Sequence, residues 1–307
     1  MESLLAHCYD PRRLDLLEAG RVSEDELVTM TEDKAALSRF CYNVMTQSGS
    51  KVGMAAAERF DLGALSVVQF WDTDTVPDDV GAAMRTWREG TRGAGYTLFN
   101  DRMAEAFIYG HYGSDFVGCY RYCHHPAMRA DYFRLAFLLA KGGVYIDADD
   151  ILVGDYENLV RSLNDEIVIC PFVWDEAAKR TVPELERKQE SQFRRDWKYY
   201  FNNAPLASVP HNRIIELAWA RANARINSAR EDKRLANIHY DTGPENLTRS
   251  ILLQFLNSVA GGEKRVGLGV FDDISETVVT RHFQYKNDDR NWRTNKPIYD
   301  VNGGSSS

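Results

Sequence analysis

Three carboxylates lie close together in the segment KGGVYIDADD at residues 141–150, namely Asp147, Asp149 and Asp150. The glycine pair ends a preceding helix, and the apolar residues after it favour a β-strand. In a continuing strand Asp147 and Asp149 would share one face, where like charges repel unless a cation lies between them. Hard carboxylate oxygens suit Mg²⁺ or Mn²⁺, which often share their coordination with phosphate oxygens. The spacing therefore indicates a divalent-metal site.

A second pair of residues able to do chemistry comes shortly before this strand, in RADYFRLAFLLA. Asp131 and Arg134 are three positions apart, so they lie on one face of a predicted helix. Such a pair forms either an ordinary intrahelical ion pair or a fixed, charge-assisted grip on the hydroxyls of a ligand. Asp147 and Asp149 form an Asp-x-Asp (DxD) motif. The alternative to a metal site there is a solvated strand end that happens to be acidic.

Other uses of the acidic segment fit less well. An EF-hand loop needs an oxygen ligand and then glycine where this chain has Ile151 and Leu152, which excludes that site. A haloacid-dehalogenase-like phosphatase shares the acidic start but has a hydroxyl residue or valine at the position of Ile151, so it stays a second enzyme hypothesis. The segment CYRYCHHP at 119–126 superficially suggests zinc, but its spacing does not suit one tetrahedral ion.

The elements that must position these residues change in character near residue 65. Residues 1–64 show helical periodicity, with a capping box predicted at Ser23 and Glu26. Beyond them, short apolar segments alternate with helical ones, and strands are predicted at 66–71, 95–99, 143–148 and 166–173. This alternation predicts an α/β fold with a mostly parallel sheet flanked by helices. Such sheets bind ligands at the carboxyl ends of their strands, where the aspartates lie.

The remaining segments complete the predicted organisation. The charged stretch 174–200 is expected to be a solvated helix or an insertion, and TGPENLT at 242–248 predicts a helix start. The tail VNGGSSS has the composition of a disordered segment. We therefore expect a helical N-terminal extension at residues 1–64, an α/β domain at 65–300 and a disordered tail at 301–307.

Composition limits the classes of partner. The chain has 307 residues, of which 44% are apolar and 27% charged, as in an ordinary globular protein. A net charge of −8 argues against a nucleic-acid partner. The longest apolar run, LAFLLA, is too short for a membrane span, and the N-terminus lacks the pattern of a signal peptide. These features predict a cytoplasmic protein whose five cysteines are free thiols.

The segment RADYFRLAFLLAKGGVYIDADD resembles the core of the DxD glycosyltransferases that include the yeast initiating mannosyltransferases and the large clostridial glucosylating toxins. Further segments resemble the same family in the same order, namely VVQFWDTDTVPDD, MRTWREGTRGAGYTLFND, FNNAPLASVPHNRIIELA and TGPENLT. Together they cover about residues 65–257.

The resemblance implies a GT-A fold, which is a doubly wound α/β domain around a nucleotide site, and a specific reaction. It implies retaining transfer of a hexose or HexNAc from a UDP- or GDP-linked nucleotide sugar, assisted by Mn²⁺ or Mg²⁺. The acceptor is expected to be a protein, a glycan or a small molecule. A bacterial origin and secretion into a host cell as an effector are compatible with the toxin relatives.

The resemblance also implies a role for individual residues. Asp131 and Arg134 would hold hydroxyls of the donor sugar, Asp149 would ligate the metal directly, and Asp147 would contact it through water. The remaining residues implied in donor binding are Gln69, Phe70, Trp71, Tyr145, Ala148, Asn203 and Trp292, with Trp71 stacking on the base and Tyr145 lining the pocket.

In the relatives, residues near the C-terminus complete the metal and diphosphate site. The stretch RHFQYKNDDRNWRT offers His282, Asn287, Asn291 and Trp292, of which His282 and Asn291 are the predicted metal ligands. The first-strand motif is also altered, because Asp72 and Thr73 follow Trp71 where relatives have a small residue and glycine.

Overall fold

The computed structural model describes most of the chain, namely residues 2–5, 7–47, 66–91, 95–156, 166–263, 266–272, 274–280 and 283–287. In these ranges no helix is both long and apolar enough to cross a membrane. The predicted division at residues 64 and 300 falls outside them, so the domain boundaries stay a prediction.

The N-terminal segment is helical, as predicted, over the part that the structure describes. Its helices are α1 Glu2–Leu5, α2 Pro11–Glu18, α3 Glu24–Glu32 and α4 Lys34–Gln47. Helix α3 begins with the predicted capping box, because the side chains of Ser23 and Glu26 each accept the other residue's backbone N–H. The apolar positions of α3 and α4 are buried, as their helical spacing indicates, and include Leu27, Met30, Leu37, Phe40 and Cys41.

The rest of the described chain alternates between strands and helices. The strands are β1 Val67–Phe70, β2 Tyr96–Phe99, β3 Gly143–Tyr145, β4 Asp150–Leu152, β5 Ile167–Asp175, β6 Arg180–Thr181, β7 Trp197–Ser208, β8 Leu268–Val270 and β9 Val278–Thr280. The helices are α5 Asp78–Gly90, α6 Asp101–Tyr112, α7 Ser114–Tyr122, α8 Pro126–Lys141, α9 Glu184–Gln189, α10 Arg213–Glu231 and α11 Pro244–Ala260. Short helical turns occur at Ile238–Thr242, Ile274–Glu276 and Gln284–Asn287.

One mixed sheet forms the centre of the fold. Its strand order is β2-β1-β3-β7-β5-β6, with β8 also paired to β5. Strands β1, β2, β3, β5 and β8 run in one direction, whereas β7 and β6 run against them. The α/β class with a mostly parallel sheet is therefore confirmed. A separate pair, β4 with β9, lies outside this sheet.

Two local predictions need correction. The third strand was expected to extend to residue 148, but β3 ends at Tyr145 and Asp147 to Asp150 form a turn, closed by a backbone hydrogen bond of 3.1 Å from Asp150 to Asp147. The charged stretch 174–200 contains strand ends, a hairpin and only the short helix α9. Strand pairing of β5 with β6 and β7 overrides the helical tendency of its charged residues there.

Candidate functional site

The parallel strands β1 and β3 end side by side, which brings Trp71 and Asp147 to the same edge of the sheet. Gly143 permits this close approach, since a Cβ there would collide with the backbone carbonyl of Ser66. Its φ of +107° is also strained for any residue with a side chain. The glycine pair therefore does more than end helix α8, because it lets β3 lie directly against β1.

The turn that carries the DxD motif is held from both sides by hydrogen bonds to its backbone. Gln69 donates from Nε2 to the carbonyl of Asp147 at 3.0 Å and accepts from the Tyr96 hydroxyl at 2.7 Å. On the far side of the turn, the indole N–H of Trp87 donates to the carbonyl of Asp150 at 2.9 Å. The aspartates thus project from a fixed backbone.

Arg134 is the centre of the buried charge network below this turn. Its guanidinium lies 3.2 Å from Asp131 Oδ1 and donates to Asp147 Oδ1 at 2.6 Å. It also donates to the carbonyl of Asn203 at 2.6 Å and lies 4.2 Å above the centre of the Tyr145 ring. Because the Arg134 side chain is only 2% exposed, these partners replace its hydration shell.

Asp131 is positioned by three elements at once. Its Oδ1 accepts a hydrogen bond of 2.8 Å from Asn203 on β7 as well as facing Arg134. A Cβ on Gly243, just before α11, would lie only 3.1 Å from Asp131 Oδ2, so the absence of a side chain there leaves room for the carboxylate. Burial raises the pKa of Asp131 to about 7, although Arg134 and the Asn203 hydrogen bond oppose this shift.

Asp147 is the more open of the two DxD carboxylates. Its side chain is 42% exposed, against 11% for Asp149. Desolvation raises the pKa of Asp147, Arg134 lowers it, and the nearby carboxylate of Asp149 raises it further. The two aspartates are therefore close enough to interact, as the predicted metal site requires.

Asp149 is contacted by a segment far along the chain. The hydroxyl of Tyr285 donates to Asp149 Oδ2 at 2.9 Å, and the ammonium of Lys286 forms an ion pair with the same oxygen. Burial and the Asp149 carboxylate raise the pKa of the Tyr285 phenol, which keeps it protonated as a donor.

The donor set fits a hard divalent cation. Within the part of the chain that the structure describes, Asp147 Oδ2 and Asp149 Oδ1 accept no hydrogen bond, so each carboxylate keeps one oxygen for a ligand. No group of three or more His, Cys, Asp or Glu suited to a metal occurs among these residues. Two carboxylates with water and phosphate oxygens suit Mg²⁺ or Mn²⁺, whereas a closed zinc site would need more protein ligands.

Several predicted donor-binding residues are buried and support the site from behind. Gln69 is fully buried and positions the Asp147 backbone, and Phe70 packs against Phe133 with ring centres 5.9 Å apart. Tyr145, predicted to line the pocket, is 1% exposed beneath Arg134. Through their side chains, these three residues shape the site without presenting an open surface to it.

Trp71 and Ala148 lie next to the strand ends, as expected for residues near a ligand. Trp71 is 7% exposed, donates its indole N–H to the Thr75 carbonyl at 3.0 Å, and meets the Tyr285 ring edge-on at 5.3 Å. Ala148 belongs to the same small apolar cluster. Stacking of a base on Trp71 stays a prediction.

Other candidate ligands lie elsewhere or beyond the described residues. The predicted metal ligands His282 and Asn291, and the predicted donor contact Trp292, lie outside the described residues, whereas Asn287 is exposed at the end of a turn. Cys119 and Cys123 are buried thiols on or next to α7, and they belong to no metal-binding group in the described ranges.

Tyr285 and Lys286 are not among the residues predicted from the sequence, although both lie in the stretch RHFQYKNDDRNWRT. The residues predicted there are metal ligands, and a phenol and an ammonium are not ligands for Mg²⁺ or Mn²⁺. The signal available in the sequence was a lysine four positions after the predicted metal ligand His282.

Comparisons with known proteins found one matching family model and similar solved structures. The model of the family described as glycosyltransferase sugar-binding region containing DXD motif matches residues 77–166, which include Asp131, Arg134, Asp147 and Asp149. The solved structure of PaToxG glycosyltransferase is 14% identical, with a TM-score of 0.42 over 88% of this chain and 95% of that chain. No curated protein matches this chain in sequence. The resemblance inferred from the sequence is therefore confirmed as a match of residues 77–166 to the model of this DXD-containing glycosyltransferase family.

Proposed function

We propose that this chain is a retaining glycosyltransferase of GT-A type. It moves a hexose or HexNAc from a UDP- or GDP-linked donor to a protein, glycan or small-molecule acceptor, with Mn²⁺ or Mg²⁺ at the DxD motif. The observation that supports this most directly is the network in which Arg134 joins Asp131 to Asp147 within the matched family region.

The network suits a sugar-binding role because its geometry is fixed before a ligand arrives. Arg134 and Asn203 hold the Asp131 carboxylate in one orientation, and a positioned carboxylate can accept hydrogen bonds from sugar hydroxyls. Firm orientation of the donor favours transfer to the acceptor over hydrolysis.

The DxD carboxylates supply the other half of the donor site. Asp147 and Asp149 would hold a divalent cation, which supplies positive charge that stabilises the departing nucleoside diphosphate. Arg134 keeps Asp147 oriented through its bond to Oδ1, and Oδ2 is left for the ligand side.

Retention at the anomeric carbon follows from the family resemblance. The Asp131 carboxylate is held by two neighbours, which suits a fixed binding group better than a nucleophile that must move toward the anomeric carbon. We therefore propose that the acceptor attacks on the face from which the nucleotide departs, without a covalent enzyme intermediate. Action in the cytoplasm, either of the producing cell or of a host cell, belongs to the same proposal.

Isothermal titration with UDP-glucose, UDP-GlcNAc, UDP-galactose and GDP-mannose, with and without Mn²⁺, tests the proposal. We expect one donor to bind only with the metal, and Asp149→Asn to lose both metal-dependent binding and turnover while its melting temperature stays near that of the wild type. Full activity of Asp149→Asn contradicts the assignment.

Product analysis separates the alternatives. Release of phosphate from simple phosphomonoesters would favour the phosphatase hypothesis. Metal-dependent donor binding without sugar transfer or donor hydrolysis would favour a nucleotide-sugar-binding protein that has lost catalysis.

A further inference from the structure

The segment Phe283–Asn287, here called the C-terminal strap, lies against the DxD turn and is anchored there by several contacts. Phe283 is buried in the apolar cluster that includes Trp71 and Ala148. The backbone N–H of Gln284 donates to Asp79 Oδ2 at 3.1 Å, at the start of helix α5. Because these contacts do not involve Lys286, they hold the strap beside Asp149 independently of the ion pair.

Lys286 and Tyr285 both use one oxygen of Asp149. The ammonium pairs with Asp149 Oδ2 and the phenol donates to it at 2.9 Å, while Oδ1 accepts no hydrogen bond from the described residues. The side chains of Lys286 and Asp149 are 22% and 11% exposed, so solvent and salt screen this pair less than an open surface pair. The Lys286 ammonium also lies 6.0 Å from the centre of the Phe283 ring and 5.9 Å from the centre of the Tyr285 ring.

A divalent cation and the Lys286 ammonium cannot both contact Asp149 Oδ2 closely, because like charges at such a separation repel strongly. Binding of the metal at this carboxylate must therefore move the ammonium or compete with it. A displaced Lys286 stays beside the metal, where the diphosphate of a nucleotide would bind, and lysine pairs readily with phosphate oxygens.

We propose that Lys286 is a positioning residue that neutralises Asp149 until a divalent cation binds there, and that then pairs with the diphosphate of the nucleotide. This inference rests on the proposed function. It assigns to one side chain two opposite effects, since Lys286 opposes binding of the metal alone and favours binding of the metal together with a nucleoside diphosphate.

The test compares Lys286→Met with Lys188→Met in the full chain. Lys188 is a suitable control because it is 31% exposed and is also paired with carboxylates, but with Glu184 and Asp272 instead of an aspartate of the DxD motif. Mn²⁺ binding is followed without nucleotide by the electron paramagnetic resonance signal of the free ion. We expect Lys286→Met to bind Mn²⁺ about tenfold more tightly, since a charge-assisted hydrogen bond no longer has to be broken. The control variant should match the wild type.

In a second titration, with nucleotide, we expect the wild type to bind more tightly than Lys286→Met. With saturating Mn²⁺, UDP and GDP are titrated by calorimetry, and the nucleotide that the wild type binds more tightly is used for comparison. Lys286→Met should bind it about tenfold more weakly, because the diphosphate has lost a cationic partner. Substitution of a residue that only stabilised the fold would not strengthen Mn²⁺ binding and at the same time weaken nucleotide binding.

The other outcomes are equally decisive. Unchanged or weaker Mn²⁺ binding by Lys286→Met overturns the inference, as does nucleotide binding equal to that of the wild type. If Lys286→Met does not fold, Lys286→Gln decides, because it removes the charge beside Asp149 and keeps a polar side chain. Tighter Mn²⁺ binding by Lys286→Gln then supports the inference, and unchanged binding overturns it.

Asp149→Asn separates this inference from the proposed function. If the wild type binds Mn²⁺ and Asp149→Asn does not, the metal site stands whatever Lys286 does. If both bind Mn²⁺ equally, the proposed metal site itself is wrong.

Discussion

Arg134 connects two carboxylates that belong to different parts of the proposed site, one for the sugar and one for the metal. It is nearly fully buried, and its charge is balanced by Asp131 and Asp147. A buried charge that loses its partner is costly because it can neither return to water nor find another counter-ion. The residue is therefore as important to the fold as to any reaction.

Replacing Arg134 by alanine should destabilise the protein by about 3–5 kcal/mol, the range expected when one partner of a buried ion pair is removed. Urea unfolding of the wild type and Arg134→Ala measures this difference. The exposed pair of Arg180 and Glu186 provides the control, since solvent screens this pair and Arg180→Ala should change the stability far less than Arg134→Ala. A stable Arg134→Ala protein that has lost activity would limit Arg134 to a binding role.

The raised pKa of Asp131 predicts how its contribution to stability depends on pH. Burial moves the pKa from an ordinary value of 3.8 in the unfolded chain to about 7 in the folded protein. Between these two values the unfolded chain has already released the proton while the folded protein keeps it, so the contribution of Asp131 falls as the pH rises.

Asp131→Asn should remove this dependence. The stability of the wild type relative to Asp131→Asn is expected to fall as the pH rises from about 4 to about 7, measured by urea unfolding at several pH values. A relative stability that rises over the same range would mean that the ion pair with Arg134 outweighs burial.

Among the elements, the junction between the π-helical turn Ile238–Thr242 and helix α11 has little tolerance for change. A Cβ at Gly243 would lie 2.7 Å from the Ile238 carbonyl, 3.0 Å from the Cα of His239 and 3.1 Å from Asp131 Oδ2. Two of these atoms are backbone, which cannot move aside without shifting the turn.

Gly243→Ala should therefore cost about 1–3 kcal/mol of stability and weaken donor binding, because the turn and the Asp131 carboxylate are forced apart. Gly110→Ala is the matched control. Gly110 lies on an exposed face of α6 with nothing within 4 Å of an added Cβ, so this change should be neutral or stabilise by up to about 1 kcal/mol. Thermal unfolding and donor titration of both variants provide the comparison.

Over the molecule as a whole, the N-terminal helices share the core of the α/β sheet. Phe40 on α4 meets Phe255 on α11 with ring centres 5.1 Å apart. Glu32 at the end of α3 accepts hydrogen bonds from Arg225 at 2.8 Å and from Tyr240 at 2.5 Å. These contacts join α3 and α4 to α10, to α11 and to the turn Ile238–Thr242. Because this turn leads into Gly243 beside Asp131, the N-terminal helices support the site indirectly.

Local features of the sequence were sufficient to predict some elements near the candidate site. The glycine pair and the run Val144, Tyr145 and Ile146 predict strand β3, although not the turn that follows it. Asp131 and Arg134 are joined by helical spacing alone, and their ion pair at 3.2 Å agrees with that expectation. Both predictions depend on neighbours within a few residues, where backbone geometry sets the distance.

The rest of the site was decided by tertiary structure. Strand β7 was not predicted because its second half, from Asn203 to Ser208, is buried on both faces and lacks the alternation that marks a strand. The bond from Asn203 to Asp131 spans 72 positions, and that from Tyr285 to Asp149 spans 136. No local preference encodes such pairs, because they form only when packing of the core and pairing of strands bring distant segments to one edge of the sheet.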